Sequence, residues 1–257
     1  MKYQVFVSAV IATIFAFAAE TQPQPKQKRV KDMTPEEYAK YHLEVQARRL
    51  KRTGGYVVRP GSQKGKIVFY NAQKLVPAEK LDENVKMLAR ETKYNIVMSE
   101  GEKILQNDAP AAMKKLGADI AVFIVEDESS PLMSVMVPDS GFAIVNASAV
   151  CKGARNDVFR AARLKKAMFR AFYCAAGAMN SQYPASMMSS IRTAQDLDKL
   201  LDDPPMDVFG RTVDNLTTLG VTQEERSTYL RACRAGWAPA PTNDIQKAIW
   251  DSTHQKK

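Results

Sequence analysis

The spacing of hydrophobic residues changes repeatedly between residues 66 and 177. Short runs of β-branched and aromatic residues, typical of buried strands, alternate with segments whose apolar residues recur every three or four positions, as in amphipathic helices. The pattern predicts strands at Lys66–Asn71, Tyr94–Met98 and Ala118–Val125, separated by a helix that starts at Pro77 and another at Ala109–Leu116. Strands that alternate with helices pair in parallel through right-handed crossovers, so the sequence predicts a mostly parallel sheet.

Two further apolar runs, Leu132–Val137 and Phe142–Val150, are joined by a tight turn and predict a hairpin at one edge of this sheet. A long helix then covers Asn156–Gly177. Short helices follow, and Asn243 is expected to cap the last of them. The predicted fold class is therefore α/β (α+β), with a mixed, mostly parallel sheet, flanking helices and a helical C-terminal extension.

The N-terminus has the features of a secretion signal. Lys2 precedes the uncharged apolar run Val5–Phe17, and small residues at Ala16 and Ala18 suit a cleavage site. The run is short for a membrane span, so we expect export and no transmembrane anchor after cleavage. The alternative is an uncleaved anchor helix. Five segments follow from the pattern: 1–18 signal peptide, 19–33 disordered basic linker, 34–65 N-terminal helix and linker, 66–203 α/β domain, 204–257 helical extension.

The positive charge is large but spread out. The chain has 37 Lys and Arg against 28 Asp and Glu, a formal net charge of +9. Such a charge favours acidic partners, and we expect an anionic glycan, an envelope component or another protein. No aromatic-interleaved basic stripe is present, so nucleic acid is not an expected partner. Solubility is the plainer explanation of the charge, and no cofactor is indicated.

The three cysteines, Cys151, Cys174 and Cys233, leave the disulfide state open. The first two sit near opposite ends of the long predicted helix, about 30 Å apart and beyond disulfide reach. An internal bridge would therefore require Cys233. Three reduced, buried thiols are equally compatible with the sequence.

The long helix contains the most informative motif of the chain, RAFYCAAGAMN (Arg170–Asn180). With the element order around it, this segment resembles the catalytic domain of the metzincin metallopeptidases, above all the archaemetzincins, over roughly Lys66–Leu201. Gly177 falls on the turning glycine of the zinc motif H-E-x-x-H-x-x-G-x-x-H. The later segment Ser186–Ser189 resembles the Met-turn, which forms the floor of the site in that family.

The departures from the motif concern the zinc ligands themselves. Arg170 stands at the first His, Ala171 at the Glu, Cys174 at the second His and Asn180 at the third. A catalytic zinc site needs three protein ligands and one open position, and this chain contains only two histidines. The resemblance therefore implies a metal-free domain without peptidase activity. We expect an exported binding or structural protein that reuses a groove with Arg170, Cys174, Asn180 and Met188 at its floor.

Arg163, Lys166 and Arg170 form a positive stripe on the same helix. The stripe is expected either to be a solvated face, or to offer Arg163 and Lys166 to an anionic ligand.

A hydrolase of another class is the alternative function. Its nucleophile would be Cys174, which lacks a His base, or its catalytic groups would be acidic residues near 126–128 and 196–203. A buried core thiol and solvated loops are the simpler interpretations. Signatures of serine hydrolases, nucleotide-binding loops and CxxC redox sites are absent from the sequence.

Overall fold

The computed structural model describes residues 29–178 and 180–254. The expected signal peptide and most of the expected basic linker lie outside these residues. The chain divides into two compact units, one ending at Gly55 and the other beginning at Tyr56. Within the described ranges, none of the helices has both the length and the apolar character needed to cross a membrane.

The first unit contains a 3₁₀ turn at Val30–Asp32 and helix α1 at Pro35–Thr53. The sequence Thr34-Pro35-Glu36-Glu37 predicts a capping box at the start of α1, and the structure confirms it. The backbone N–H of Glu37 donates to Thr34 Oγ1 at 3.2 Å, and the N–H of Thr34 donates to the Glu37 carboxylate at 2.9 Å. This reciprocal pair satisfies two of the amides that a helix leaves free at its N-terminus.

The second unit holds the remaining described elements. Its strands are β1 Tyr56–Val58, β2 Ile67–Ala72, β3 Ile96–Gly101, β4 Ile120–Val125, β5 Ser134–Val137, β6 Phe142–Asn146 and β7 Arg226–Thr228. Its α-helices are α2 Ala78–Thr92, α3 Ala109–Leu116, α4 Ala147–Cys151, α5 Asp157–Ala175, α6 Met206–Thr218, α7 Tyr229–Arg234 and α8 Asp244–His254. Shorter 3₁₀ helices cover Gln106–Asp108, Pro138–Ser140 and Ala194–Lys199.

Five strands form the main sheet in the order β3-β2-β4-β6-β5. The pairs β2–β3, β2–β4 and β4–β6 are parallel, and only the edge strand β5 runs antiparallel, against β6. In the register, Ile67 of β2 lies opposite both Ile96 and Ile120. The predicted mixed, mostly parallel sheet with one antiparallel edge is confirmed.

The last predicted strand is shorter than expected. The run Phe142–Val150 was expected to be extended throughout, but β6 stops at Asn146 and the chain continues as helix α4. Val125, the last residue of β4, pairs with Asn146, so the parallel partner strand ends at that point. The Asn146 side chain also forms hydrogen bonds with the backbone of Asp127 and Ser130 in the neighbouring loop.

The expectation that the C-terminal extension is helical needs a second correction. Strand β7 interrupts it and pairs antiparallel with β1, which lies in the segment expected to be a linker. Tyr56 lies opposite Thr228 in this pair. The extension is therefore tied by main-chain hydrogen bonds to residues that precede the predicted domain. The predicted cap on α8 is confirmed, because Asn243 accepts from the N–H of Gln246 at 2.9 Å.

Helix α5 covers one face of the main sheet. Alternation along β2 points Ile67 and Phe69 towards the apolar cluster that includes α5, while Val68 and Tyr70 join a smaller cluster with α3. Within α5, Phe169 and Phe172 are almost fully buried. This packing fixes α5 beneath the sheet and so positions the candidate site.

The turn after α5 depends on Gly177, which has a φ of +82°. Asn215 of α6 packs against it, and its amide donates to the Ala176 carbonyl at 3.2 Å. A Cβ atom at position 177 would lie 2.6 Å from the Asn215 amide nitrogen. Glycine is therefore required here both by the left-handed backbone and by a close neighbour.

We expect Gly177→Ala to destabilise the protein more than Gly236→Ala. Both glycines have positive φ, which costs an alanine about 1–2 kcal/mol, but nothing lies within 4 Å of a Cβ at Gly236. Urea denaturation of the two variants measures the difference. Adding Asn215→Ala to Gly177→Ala should recover part of the loss, and equal losses for both single variants would contradict the role given to Asn215.

Candidate functional site

The positive stripe on α5 is buried. Relative exposure is 2% for Arg163, 8% for Lys166 and 6% for Arg170. The expectation of a solvated face is therefore wrong. All three side chains instead contact the segment 187–202, which covers this side of the helix.

Arg163 forms a two-pronged ion pair with Asp198. Its Nε and Nη2 donate to the two carboxylate oxygens at 2.8 and 2.7 Å, and its Nη1 donates to the Lys152 carbonyl at 2.9 Å. The hydrogen bonds from Arg163 hold the pKa of Asp198 below its ordinary value. The same bonds raise the pKa of Arg163. One guanidinium thus joins the end of α4, α5 and the 194–199 helix.

Lys166 is satisfied mainly by backbone carbonyls. Its Nζ donates to Leu200 at 2.6 Å and to Leu197 at 3.1 Å, and lies 3.4 Å from a carboxylate oxygen of Asp202. Those carbonyls terminate the 3₁₀ helix, where a cation compensates the negative end of the peptide dipoles. As contacts for an anionic ligand, Arg163 and Lys166 stay a prediction, and such binding would require the segment above them to move first.

Of the three cations on α5, Arg170 has the most unusual environment. Its Nη1 donates to the carbonyl of Met187 and, at 2.7 Å, to that of Ser189. Among the described residues it has no carboxylate partner, and burial lowers its pKa. Met187 and Met188 are themselves fully buried. At the position of the first zinc ligand, a guanidinium therefore binds the backbone of the segment that resembles the Met-turn.

The four predicted floor residues are only partly brought together. Cys174 lies one turn after Arg170 and is half-buried; burial raises the pKa of its thiol, and the Arg170 charge opposes this. Asn180 is exposed, although the N–H of the adjacent Ser181 donates to the Met188 carbonyl at 2.9 Å. Arg170, Cys174 and the Met188 backbone thus adjoin, with Asn180 at the rim. Their role as a binding floor stays a prediction.

Three acidic residues of the later cluster considered for a hydrolase, Asp196, Asp198 and Asp202, have structural partners. Asp196 accepts from the N–H groups of Arg192 and Thr193 at 3.1 and 2.9 Å, and these bonds lower its pKa well below the ordinary value. Asp198 and Asp202 pair with the α5 cations. A signal for this pairing is present in the sequence, because the cationic stripe from Arg163 to Arg170 is followed by a short acidic segment from Asp196 to Asp203.

The residues present do not fit a zinc ion. Within residues 29–178 and 180–254, no group of three or more His, Cys, Asp or Glu side chains is placed to hold a metal. The position of the first ligand carries a permanent cation that already donates to two carbonyls. Cys174 adds one donor, and a catalytic site needs three. The three cysteines of the described chain are free thiols.

No model of a known protein family matches the chain, and no curated protein matches it significantly. Solved structures of archaemetzincin and zinc-dependent peptidase folds do resemble it, the same class as the sequence resemblance. The archaemetzincin of Methanopyrus kandleri has a TM-score of 0.48 and 12% identity, covering 63% of this chain and 99% of that one. A zinc-dependent peptidase from Methanocorpusculum labreanum has a TM-score of 0.47 and 12% identity, covering 58% of this chain and 100% of that one. The archaemetzincin of Archaeoglobus fulgidus, complexed with malonate, has a TM-score of 0.43 and 9% identity, covering 57% of this chain and 99% of that one.

We expect Arg170→Met to destabilise the protein by about 2–4 kcal/mol, because two buried carbonyls lose a charged donor. Arg160→Met is the matched control: Arg160 lies on the same helix with 61% of its side chain exposed, and its replacement should change stability by about 0.5 kcal/mol or less. Chemical denaturation monitored by circular dichroism measures both. Equal stability of the two variants would show that Arg170 does not hold the Met187–Ser189 segment.

Proposed function

We propose that this chain is an exported, non-catalytic protein that binds a partner or serves a structural role through a metal-free, metzincin-like domain. One observation carries the proposal. Arg170, at the position of the first zinc ligand in the sequence register, is buried and donates to the carbonyls of Met187 and Ser189. A contact within the protein occupies the place where the related motif would provide a metal ligand.

The chemistry of the remaining side chains supports this. A hydrolytic zinc ion needs neutral imidazole or carboxylate ligands, and His42 and His254 are the only imidazoles in the sequence. His254 stacks on Trp250 with ring centroids 4.1 Å apart, at the end of α8. A guanidinium at a ligand position also repels an incoming cation. The thiol alternative gains no support, because burial raises the pKa of Cys174 and so disfavours the thiolate.

A binding role by surface contact is compatible with a filled floor. Asn180, beside the backbone hydrogen bond between Ser181 and Met188, offers an exposed amide for such contact. The net charge of +9 favours an acidic partner such as an anionic glycan or an envelope component. Such a partner would be held by its charge and shape, with no bond broken.

We expect the purified protein to retain no stoichiometric zinc after incubation with zinc and desalting, and to cleave no peptide in a fluorogenic peptide library. Elemental analysis and the library assay measure these. The zinc-dependent peptidase from Methanocorpusculum labreanum, treated in parallel, serves as the positive control for metal retention. One zinc per chain, or cleavage that a chelator abolishes, would overturn the proposal of a metal-free domain.

Export is tested separately at the N-terminus. When the full chain is expressed in a bacterial host, we expect the protein recovered outside the cytoplasm to begin after Ala18, the predicted cleavage position. Edman sequencing or intact-mass measurement decides this. Replacing Ala16 and Ala18 by bulky residues should block the cleavage, and an intact N-terminus on the unchanged protein would contradict a cleaved signal.

A further inference from the structure

A cavity of about 480 Å³ opens at the carboxyl ends of β2, β4 and β6. Its walls come from the residues that follow β2 and β4, from α4, and from the first half of α5. Ligands of open α/β sheets usually bind at this edge, and the size is that of a small-molecule pocket. The cavity shares no lining residue with the predicted groove floor, and its last lining residue on α5, Leu164, lies six residues or about 9 Å along the helix from Arg170.

Two buried asparagines hold the loops that form the walls. Asn71, at the end of β2, donates to the Val76 carbonyl at 2.8 Å and accepts from the Val76 N–H at 3.2 Å. Asn146, at the end of β6, accepts from the N–H of Asp127 at 3.0 Å and donates to the Asp127 and Ser130 carbonyls. The loops are therefore fixed before a ligand arrives, which lowers the entropy cost of binding.

The turn that leads from β2 to this wall has an unusual backbone, although its two central residues do not themselves line the cavity. Gln73 and Lys74 both have positive φ, 54° and 55°, although neither is glycine. The left-handed conformation costs about 1–2 kcal/mol per residue. The turn is closed by a hydrogen bond from the Leu75 N–H to the Ala72 carbonyl, and it brings Leu75 to the cavity.

Charges of both signs line the cavity. Four of them form no ion pair within the described parts of the chain: Lys80, Lys152, Glu126 and Glu128. Arg160 and Asp157 add one more charge of each sign and are separated by 4.0 Å, with both side chains largely exposed. A simple anion would face the two glutamates, and a simple cation would face the lysines. The lining therefore favours a ligand that carries both charges.

The floor between these charges is largely apolar. Val76, Ala161 and Leu164 contribute aliphatic surface. Ser148 lies on α4 and lines both this cavity and a neighbouring one of about 810 Å³. Its hydroxyl is buried and makes no hydrogen bond with any described residue. An apolar body with charged ends matches this arrangement.

We infer that the cavity binds a small zwitterion with an aliphatic side chain, namely an amino acid or a dipeptide. The ligand's carboxylate faces Lys80 and Lys152, its ammonium faces Glu126 and Glu128, and its side chain contacts Leu164. The Lys152 backbone is itself held by the buried Arg163, so this wall is rigid. The inference goes beyond the proposed function and does not depend on the groove at Arg170.

Isothermal titration calorimetry with L-leucyl-L-leucine tests the inference. We expect one dipeptide to bind per chain. The N-acetylated and the C-amidated dipeptides, each lacking one charge, should bind at least about tenfold more weakly, since a charge-assisted hydrogen bond is worth about 1.5–3 kcal/mol. Free L-leucine distinguishes an amino-acid site from a dipeptide site, and tighter binding of either supports the inference.

Paired variants assign the two ends of the ligand. Replacing both Glu126 and Glu128 by Gln should weaken binding of the free dipeptide but leave the residual binding of the N-acetylated form unchanged. Replacing both Lys80 and Lys152 by Met should weaken binding of the free dipeptide but not that of the amide. Glu83→Gln and Lys114→Met, exposed charges that do not line the cavity, are the matched controls and should bind as the unchanged protein does.

The outcomes separate this inference from the proposed function. The absence of binding heat with leucine and with the dipeptide would overturn the zwitterion site and leave the non-catalytic proposal intact. Binding that neither double variant weakens would overturn it as well. Hydrolysis of the dipeptide during the titration would overturn the non-catalytic proposal and leave the site in place.

Discussion

Buried positive charge on α5 is the constraint around which this side of the molecule is arranged. A cation removed from water costs several kcal/mol unless hydrogen bonds and opposite charge replace its hydration. Among the described residues, Arg163 pairs with a carboxylate, Lys166 has two carbonyls and a carboxylate at 3.4 Å, and Arg170 has two carbonyls. Segment 187–202, which supplies these groups, must therefore stay packed against α5. Its path is set by the hydrogen bonds and ion pairs that the three cations need.

The hydrogen bonds of Arg170 bear on the resemblance to the zinc-peptidase motif. In the motif, a metal ion would connect the helix to the residues beyond it. Here a guanidinium makes the connection from the same helix position to the turn that contains Met187 and Met188. This hydrogen bond joins the helix to the turn, and the contact needs no metal.

The sequence predicted those parts of the fold that depend on residues close together in the chain. The strands of the main sheet, the edge hairpin, the caps at Thr34 and Asn243 and the turn at Gly177 each follow from residues near in sequence. The burial of Arg163 did not follow, because its partner Asp198 is 35 residues away and only the tertiary fold brings them together. The end of β6 was also missed, since it depends on where β4 ends and on the use of the Asn146 amide.

The contact between Asn215 and the turn at Gly177 has a consequence for where the folding unit ends. Asn215 lies beyond residue 203, yet its amide covers the Ala176 carbonyl at the foot of the site helix. A fragment that ends at residue 203 would lack Asn215. The Ala176 carbonyl would then lose its hydrogen-bond donor, and Gly177 would lose its neighbour. A shortened version of this protein that keeps the turn at Gly177 intact would therefore have to include α6.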